Sequence, residues 1–371
     1  MAGVPVSRVL VVNPGSSSLK LSVLGPDGAE LAAEEIATAS GGVAEGELER
    51  FLRSRAGSFD AAGVRVVHGG TAFRSPAVVD AAVLQVLEGL SELAPLHNPP
   101  AVHALRLLLR ALPGTPVVAC FDTAFHAQMP QHAVTYAVPW RWTSEFGVRR
   151  FGFHGLSHAH AARRCAELLG RRVDELQVVT CHLGAGASLC AVRGGVSVDT
   201  TMGFTPMEGL VMATRSGSLD PGALLHVQHR HGVSAADAER MLDRESGLLG
   251  VSGVSADMRE VLAACAHGDG RAALALDVYV HRLRTSIAAM AASLSRLDAL
   301  VFTGGVGEHA ASIRERACAG LGVLGIAGGL SPLPADAPDG VVSAPGAAVP
   351  VLVVRAREDL QIAREVRTLL G

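Results

Sequence analysis

The sequence predicts an α/β fold with mixed sheets, built as two similar halves, and three observations carry that prediction. Apolar runs of strand length alternate with amphipathic stretches of helix length along the chain. The early strands are joined as hairpins by short Gly/Ser turns. A strand-turn-strand unit also occurs twice: VVNPGSSSLKLSV (11–23) and VVTCHLGAGASLCAV (178–192) each pass from a Val-Val strand through a small-residue turn into a Ser-Leu strand.

Taken in order, RVLVV (8–12) is a strand, NPGSSS a tight turn and LKLSVL (19–24) a second strand. A strand follows at VRVVHGG (64–70), then a helix over about 99–112 opened by Pro99 and Pro100, and a strand at PVVACFD (116–122). Beyond the second copy of the repeat come a long amphipathic helix over 271–296, a strand at ALVFTGG (299–305) and a helix from about 310. The Pro/Gly/Ala-rich stretch 327–348 reads as surface loop, and a last strand VPVLVV (349–354) leads into a terminal helix beginning near Glu358.

With 371 residues, 49% of them hydrophobic and 18% charged, the chain buries a large core, and its length favours two domains. A net charge of −3 and few aromatic residues argue against nucleic acid as a partner. The opening MAGVPVSRVLVVN breaks at Asn13 and Pro14 too soon for a signal-peptide core, and nothing approaches a membrane span, so a cytoplasmic enzyme is expected. The six cysteines, Cys120, Cys165, Cys181, Cys190, Cys265 and Cys318, form no CxxC pair and read as reduced buried thiols. Lys20 is the single lysine among 32 lysines and arginines, and Asn13 and Asn98 are the only asparagines. Such depletion leaves these residue types where a near-substitute fails, or where chance left them; a compact ammonium reaches a phosphate where a planar guanidinium does not fit.

Several segments have the parts for phosphate and carboxylate chemistry. The turn before Lys20 offers backbone N–H groups, the hydroxyls of Ser16, Ser17 and Ser18 and one cation, although the same composition makes ordinary turns. HLGAGAS (182–188) offers a second backbone cradle. FTGGVGEH (302–309) is a third Gly-rich strand exit, opening a helix. Arg65 at a strand and Arg215 in the loop MATRSGSLDP (212–221) are suited to clamp an anion, or to pair on the surface as most arginines do. Asp122 ends an apolar strand where α/β folds place ligands, or it caps the turn that follows. His154 and His158 have an i, i+4 metal spacing but lack the glutamate of HExxH. His158, His160 and the group His226, His229 and His231 read as core or solvated histidines, leaving His154, in a Gly-flanked loop, as a donor to developing charge.

Together VVNPGSSSLK, RVVHGG, LAPLHNP, CFDTAFH, RRFGFHGLSH, HLGAGAS, TMGFTPMEGL, TRSGSLDP, SADMR, FTGGVGEH and AREDLQIA, in that order, resemble the acetate kinase family. The resemblance implies the superfamily of sugar kinases, actin and heat-shock ATPases: two domains of duplicated βββαβαβα architecture with mixed sheets and a nucleotide cleft between them. It implies an N-terminal domain of 1–126 closed by the terminal helix 360–371, a nucleotide-binding domain of 127–359, and a homodimer. It further implies ATP and ADP as co-substrates and a magnesium ion, with manganese as a substitute.

Residue by residue, the resemblance makes Asn13 and Glu358 the metal residues and Lys20 an ATP contact. Arg65 becomes a substrate-binding residue, with Val67, Leu96, Phe153 and Pro206 as the apolar wall around the acid's methyl end. Asp122, His154 and Arg215 become the catalytic group. The nucleotide contacts become His182, Leu183, Gly184, Ala185 and Gly186, then Asp257, Met258 and Arg259, then Gly305, Val306, Gly307, Glu308 and His309. Ala185 and His309 stand where the family usually has asparagine, and a lost amide donor is worth about 0.5–1.5 kcal/mol of phosphate binding.

The expected reaction is in-line transfer of the γ-phosphoryl group of ATP to acetate. A carboxylic acid with a pKa of ~4.3 is already ionised at neutral pH, so the acceptor needs no general base. Asp122 is then expected to hold magnesium and orient the acceptor, while cations offset the repulsion between two anions. The competing readings are a propionate or butyrate kinase, a sugar or polyol kinase in which Asp122 is a base, and a regulatory nucleotide-binding protein.

Overall fold

The computed structural model describes residues 6–15, 18–37, 45–55, 57–95, 97–333 and 337–371. Its contacts group the chain into two units: Met1–Ala127 with Phe153–His160 and Arg357–Gly371, and Gln128–Gly152 with Ala161–Ala356.

In the first unit the strands are β1 (Val9–Pro14), β2 (Ser18–Leu24), β3 (Glu30–Ala37), β4 (Ala61–Val66), β5 (Ala77–Val78) and β6 (Val117–Phe121). They form one sheet in the order β3-β2-β1-β4-β6-β5, with β1, β4 and β6 parallel and β2, β3 and β5 antiparallel to their neighbours. The alternation along β1 shows why the sheet is buried on both faces. Leu10 and Val12 join a core with Leu105 and Leu108 of the helix Asn98–Ala111. Val9 and Val11 join another with Ile362, Ala363 and Val366 of the terminal helix Glu358–Leu370. Gly63 in β4 has a packing reason: a Cβ there would lie 2.5 Å from Ile362 Cγ2 and 2.7 Å from Val366 Cγ2.

The second unit repeats the plan with β7 (Gln177–Leu183), β8 (Ala187–Arg193), β9 (Val196–Thr200), β10 (Ala299–Thr303), β11 (Gly340–Val341) and β12 (Val351–Val353). Their order is β11-β12-β10-β7-β8-β9, with β7, β10 and β12 parallel and the others antiparallel. Reversed, that is the strand order of the first sheet, so the doubling read at 11–23 and 178–192 extends through both sheets. The long helix Gly270–Ala292 buries Leu276, Tyr279, Val280, Leu283 and Ile287.

Three expectations differ from the structure. The segment Phe153–His160 and the residues Arg357, Glu358 and Asp359 group with the first unit, not with 127–359. Long-range packing is the reason: Gly155 N donates to Asp122 O at 3.0 Å, and the terminal helix packs on β1 and β4 from its first turns. GGVGEH, read as a turn opening a helix, is itself the helix Gly304–His309, because Arg314 Nη1 donates to the carbonyls of Gly307 and Glu308 at 2.8 Å and satisfies its last turn. The stretch from 327 carries the short strand β11.

Candidate functional site

In the first unit the parallel strands end in polar residues that meet. Arg65, next to last in β4, donates from Nε to Asp122 Oδ1 at 3.0 Å and from Nη2 to Asp122 Oδ2 at 2.6 Å, a two-pronged pair. Its Nη1 donates to Asn13 Oδ1 at 3.3 Å and lies 3.3 Å from Glu358 Oε2, while Asn13 Nδ2 donates to the same Glu358 oxygen at 2.9 Å. Asn13 is next to last in β1, Asp122 follows β6 and Glu358 opens the terminal helix, so four segments distant in sequence build one network. Asp122 is 1% exposed, and the Arg65 and Glu358 side chains 15% and 14%.

Burial pulls the Arg65 guanidinium down, but Asp122 and Glu358 outweigh it and hold the group charged, above its ordinary value. Burial also raises the Asp122 carboxyl above its usual range, against the pull of Arg65 and of the His154 backbone N–H. The Glu358 carboxylate and the Asn13 amide oxygen are the hard donors magnesium takes, and that ion commonly uses one or two carboxylates with water and substrate phosphate. The residues present therefore fit it.

His154 is the one non-glycine residue with a positive φ (56°) among the described residues. Its neighbour Gly155 is pressed against the Asp122 turn: a Cβ there would lie 2.1 Å from Asp122 O and 2.7 Å from Phe125 Cβ. The loop thus holds His154 beside Asp122 by contact that only glycine permits. Phe153 is fully buried, packs edge-on against His68 with ring centroids 5.4 Å apart, and offers its carbonyl to His126 Nε2 at 3.0 Å. Burial lowers both the His68 and His126 imidazoles to about 4, so they are neutral at pH 7.

Val67 is buried beside this group. Leu96, Ser16 and Ser17 lie outside the described residues. Lys20 faces Asn13 across the β1–β2 pairing, yet its side chain is 64% exposed and its ammonium lies 3.9 Å from Glu35.

The second unit holds a cavity of about 480 Å³. Gly184 and Ala185 from the β7–β8 turn, Asp257, Met258 and Arg259, and Gly305, Val306 and His309 all line it, with Leu248, Leu262 and Tyr279. Eight sequence-predicted nucleotide contacts are brought together there. His182 and Leu183 at the end of β7, Gly186 in the β7–β8 turn, and Gly307 and Glu308 in the helix Gly304–His309 adjoin these residues in sequence without lining the cavity. Gly304 has φ +78°, and a Cβ on it would sit 2.8 Å from Leu183 O, so the exits of β10 and β7 approach as only glycine allows. Asp257 caps the helix Met258–Ala266 by accepting from Arg259 N at 2.8 Å and pairs with the Arg259 side chain, which with that N–H holds its carboxyl at about 2.

Arg215, in the same unit, donates from Nε to Asp243 Oδ1 at 3.2 Å and from Nη1 to Pro206 O at 3.2 Å. Its loop is closed by Gly247 (φ +62°), where a Cβ would meet Met212 O at 2.3 Å.

Sequence reasoning missed the residues that hold these groups. Asp243 steadies Arg215. Glu208 braces the Pro206 loop, taking bonds from Tyr136 Oη and, at 2.7 Å, from Arg150 Nη2; its signal was its place within TMGFTPMEGL. The other is Asn98, whose signals were its rarity and its place within LAPLHNP. It is fully buried, accepts from His68 N at 3.0 Å and donates from Nδ2 to His68 O at 2.9 Å.

A model described as the acetokinase family matches residues 43–364. The chain belongs to the acetokinase family. An acetate kinase from a Synechococcus species is 53% identical over 324 residues, covering 87% of this chain and 79% of that relative. The crystal structure of Porphyromonas gingivalis acetate kinase aligns with a TM-score of 0.88 at 34% identity, covering 98% of this chain and 100% of the other. A propionate kinase structure from Francisella tularensis aligns at 0.87, also with 34% identity, covering 97% and 98%. Two mixed six-stranded sheets with helices are the architecture this acetokinase-family chain shares with them.

Proposed function

We propose that the chain transfers the γ-phosphoryl group of ATP to the carboxylate of acetate, reversibly, giving acetyl phosphate and ADP. One observation carries this reading above a hydroxyl acceptor such as a sugar: both oxygens of Asp122 are occupied by Arg65. A hydroxyl must lose its proton to attack phosphorus, and Asp122, the carboxylate a base would be sought in, is engaged at both oxygens in holding Arg65. An acceptor that arrives ionised needs no base. The relatives' names favour acetate over its longer homologues.

On this reading one acetate oxygen forms a bond to the γ-phosphorus while the bond from that phosphorus to the β–γ bridging oxygen breaks, and the electron pair leaves with ADP. Arg65 binds the acceptor, with Val67, Phe153 and Pro206 around its methyl. Asp122 orients Arg65, and the His154 imidazole and the Arg215 guanidinium donate to the equatorial oxygens as charge spreads over them. The cavity holds the nucleoside, its Gly-rich turns leave backbone N–H groups for the phosphates, and Lys20 makes a further ATP contact. Asn13 and Glu358 would hold magnesium, which when bound offsets phosphate charge. The first unit is thus the acceptor domain and the second the nucleotide domain, in a chain that works in the cytoplasm as a homodimer; sedimentation of the purified protein tests the last point.

Hydroxylamine trapping of acyl phosphate, with acetate, propionate and butyrate offered in turn, tests the reaction. We expect hydroxamate with acetate, and a loss of at least ~1000-fold in kcat for Arg215→Ala at an unchanged melting temperature. Near-normal turnover in that variant sinks the role given to Arg215, and no hydroxamate from the unaltered protein sinks the acetate reading.

A further inference from the structure

We propose that Asn98 is a positioning residue for the acceptor end of the site, setting acetate affinity and acid-length selectivity through the peptide of His68. The inference rests on the acetate reading above.

One primary amide grips both sides of one residue. Asn98 Oδ1 takes the N–H of His68 at 3.0 Å and Nδ2 gives to its carbonyl at 2.9 Å, with a longer contact of 3.4 Å to Leu90 O. This is the double bond pattern of a β-bridge made by a side chain, and it takes up strand pairing where β4 has ended at Val66. Aspartate has no donor for the carbonyl and leucine has neither group. The amide is itself held: Asn98 N donates to Ala94 O at 2.9 Å, and Pro99 and Pro100 fix the start of its helix.

The held segment reaches the acceptor residues on both sides. His68 follows Val67 and stands three residues after Arg65. Its imidazole accepts from Gly70 N at 2.9 Å on Nδ1, which leaves the ring proton on Nε2, and its ring sets the position of Phe153. Gly69 N donates to Thr123 Oγ1 at 3.0 Å, tying the same turn to the residue after Asp122. Removing the grip frees the turn that carries Val67 and faces Phe153. The nucleotide cavity, lined by residues of the second unit, is untouched. In a chain with two asparagines, one is placed at the proposed metal residues and the other is assigned here.

The test compares Asn98→Asp and Asn98→Ala with the unaltered protein in the hydroxamate assay, reading KM for acetate, KM for ATP and the propionate-to-acetate ratio of kcat/KM. Thr123→Val, which removes the second tie at smaller structural cost, serves as an independent variant should Asn98 variants fail to fold. We expect KM for acetate to rise ~10-fold and the ratio to change by at least ~5-fold, with KM for ATP within ~2-fold. Thr123→Val should move the ratio in the same direction by less. Folded variants in which both KM values move together, or in which the ratio does not move, overturn the assignment while leaving the acetate reading intact. Failure of the unaltered protein to use acetate overturns both.

Discussion

A guanidinium has five hydrogens to give, and those of Arg65 are largely committed before any substrate arrives. Nε and Nη2 hold Asp122, and Nη1 leans on Asn13 and Glu358. On the proposed reading, acetate meets Arg65 through one oxygen, because a two-pronged clasp would first have to dislodge a resident carboxylate. The other oxygen is left bare to attack phosphorus. Arg65→Lys keeps the charge but cannot span both Asp122 oxygens, so Asp122 loses a bond inside a buried pair. We expect kcat/KM for acetate to fall ~100-fold, about 2.7 kcal/mol, with a lower melting temperature; steady-state kinetics beside a thermal scan check it. A lysine variant of ordinary activity would mean that the fork geometry is irrelevant.

At the level of the element, β4 shows how closely sheet and terminal helix are fitted. Gly63 has no room for even a methyl group against Ile362 and Val366, both branched and fully buried. Gly63→Ala should lower stability by about 1–3 kcal/mol in urea unfolding, since neither partner can swing aside. The strands were readable because their apolar, β-branched runs and the Gly/Ser turn after β1 are local properties: RVLVV, LKLSVL and PVVACFD lie within one or two residues of β1, β2 and β6. The helix Gly304–His309 was not readable, since three glycines argue against it and Arg314, which completes its last turn, enters from beyond it. The placement of Phe153–His160 and Glu358 with the first unit was equally hidden. It depends on Asp122 O meeting Gly155 N and on side chains packing across hundreds of residues, which no window of sequence contains. Lys20, Arg65, Asp122, His154, Arg215 and the Gly-rich turns were singled out from the residues, and the resemblance gave them roles and added the apolar wall, the metal residues and the contacts at Asp257, Met258 and Arg259. Their supports, Asp243, Glu208 and Asn98, were given no role, because the partner a side chain meets across the fold leaves no periodic mark, and a place within TMGFTPMEGL or LAPLHNP does not say which group is held.

For the molecule as a whole, buried histidines set the response to acid. His68 and His126 titrate at about 4 when folded and at an ordinary 6.5 when unfolded. Between those values the unfolded chain binds protons that the folded one does not, so the stability these residues contribute is complete above pH 6.5 and is lost as pH falls toward 4. Urea midpoints measured from pH 7 to 4 should decline through that window; a flat profile would contradict the burial of neutral rings. The doubled sheet bears on a different question, whether charge at the strand ends belongs to the fold. Arg65 lies in β4 opposite Asn13, the next-to-last residue of β1, and the residue of β10, the matching central strand of the other sheet, that pairs with His182, the next-to-last residue of β7, is Thr303, with no exposure at all. One blueprint has thus been executed both with a cation and with a neutral hydroxyl at that station. Nature has run the deletion experiment within a single polypeptide: the framework closes without the charge, and what the charge is kept for must be sought in the reaction.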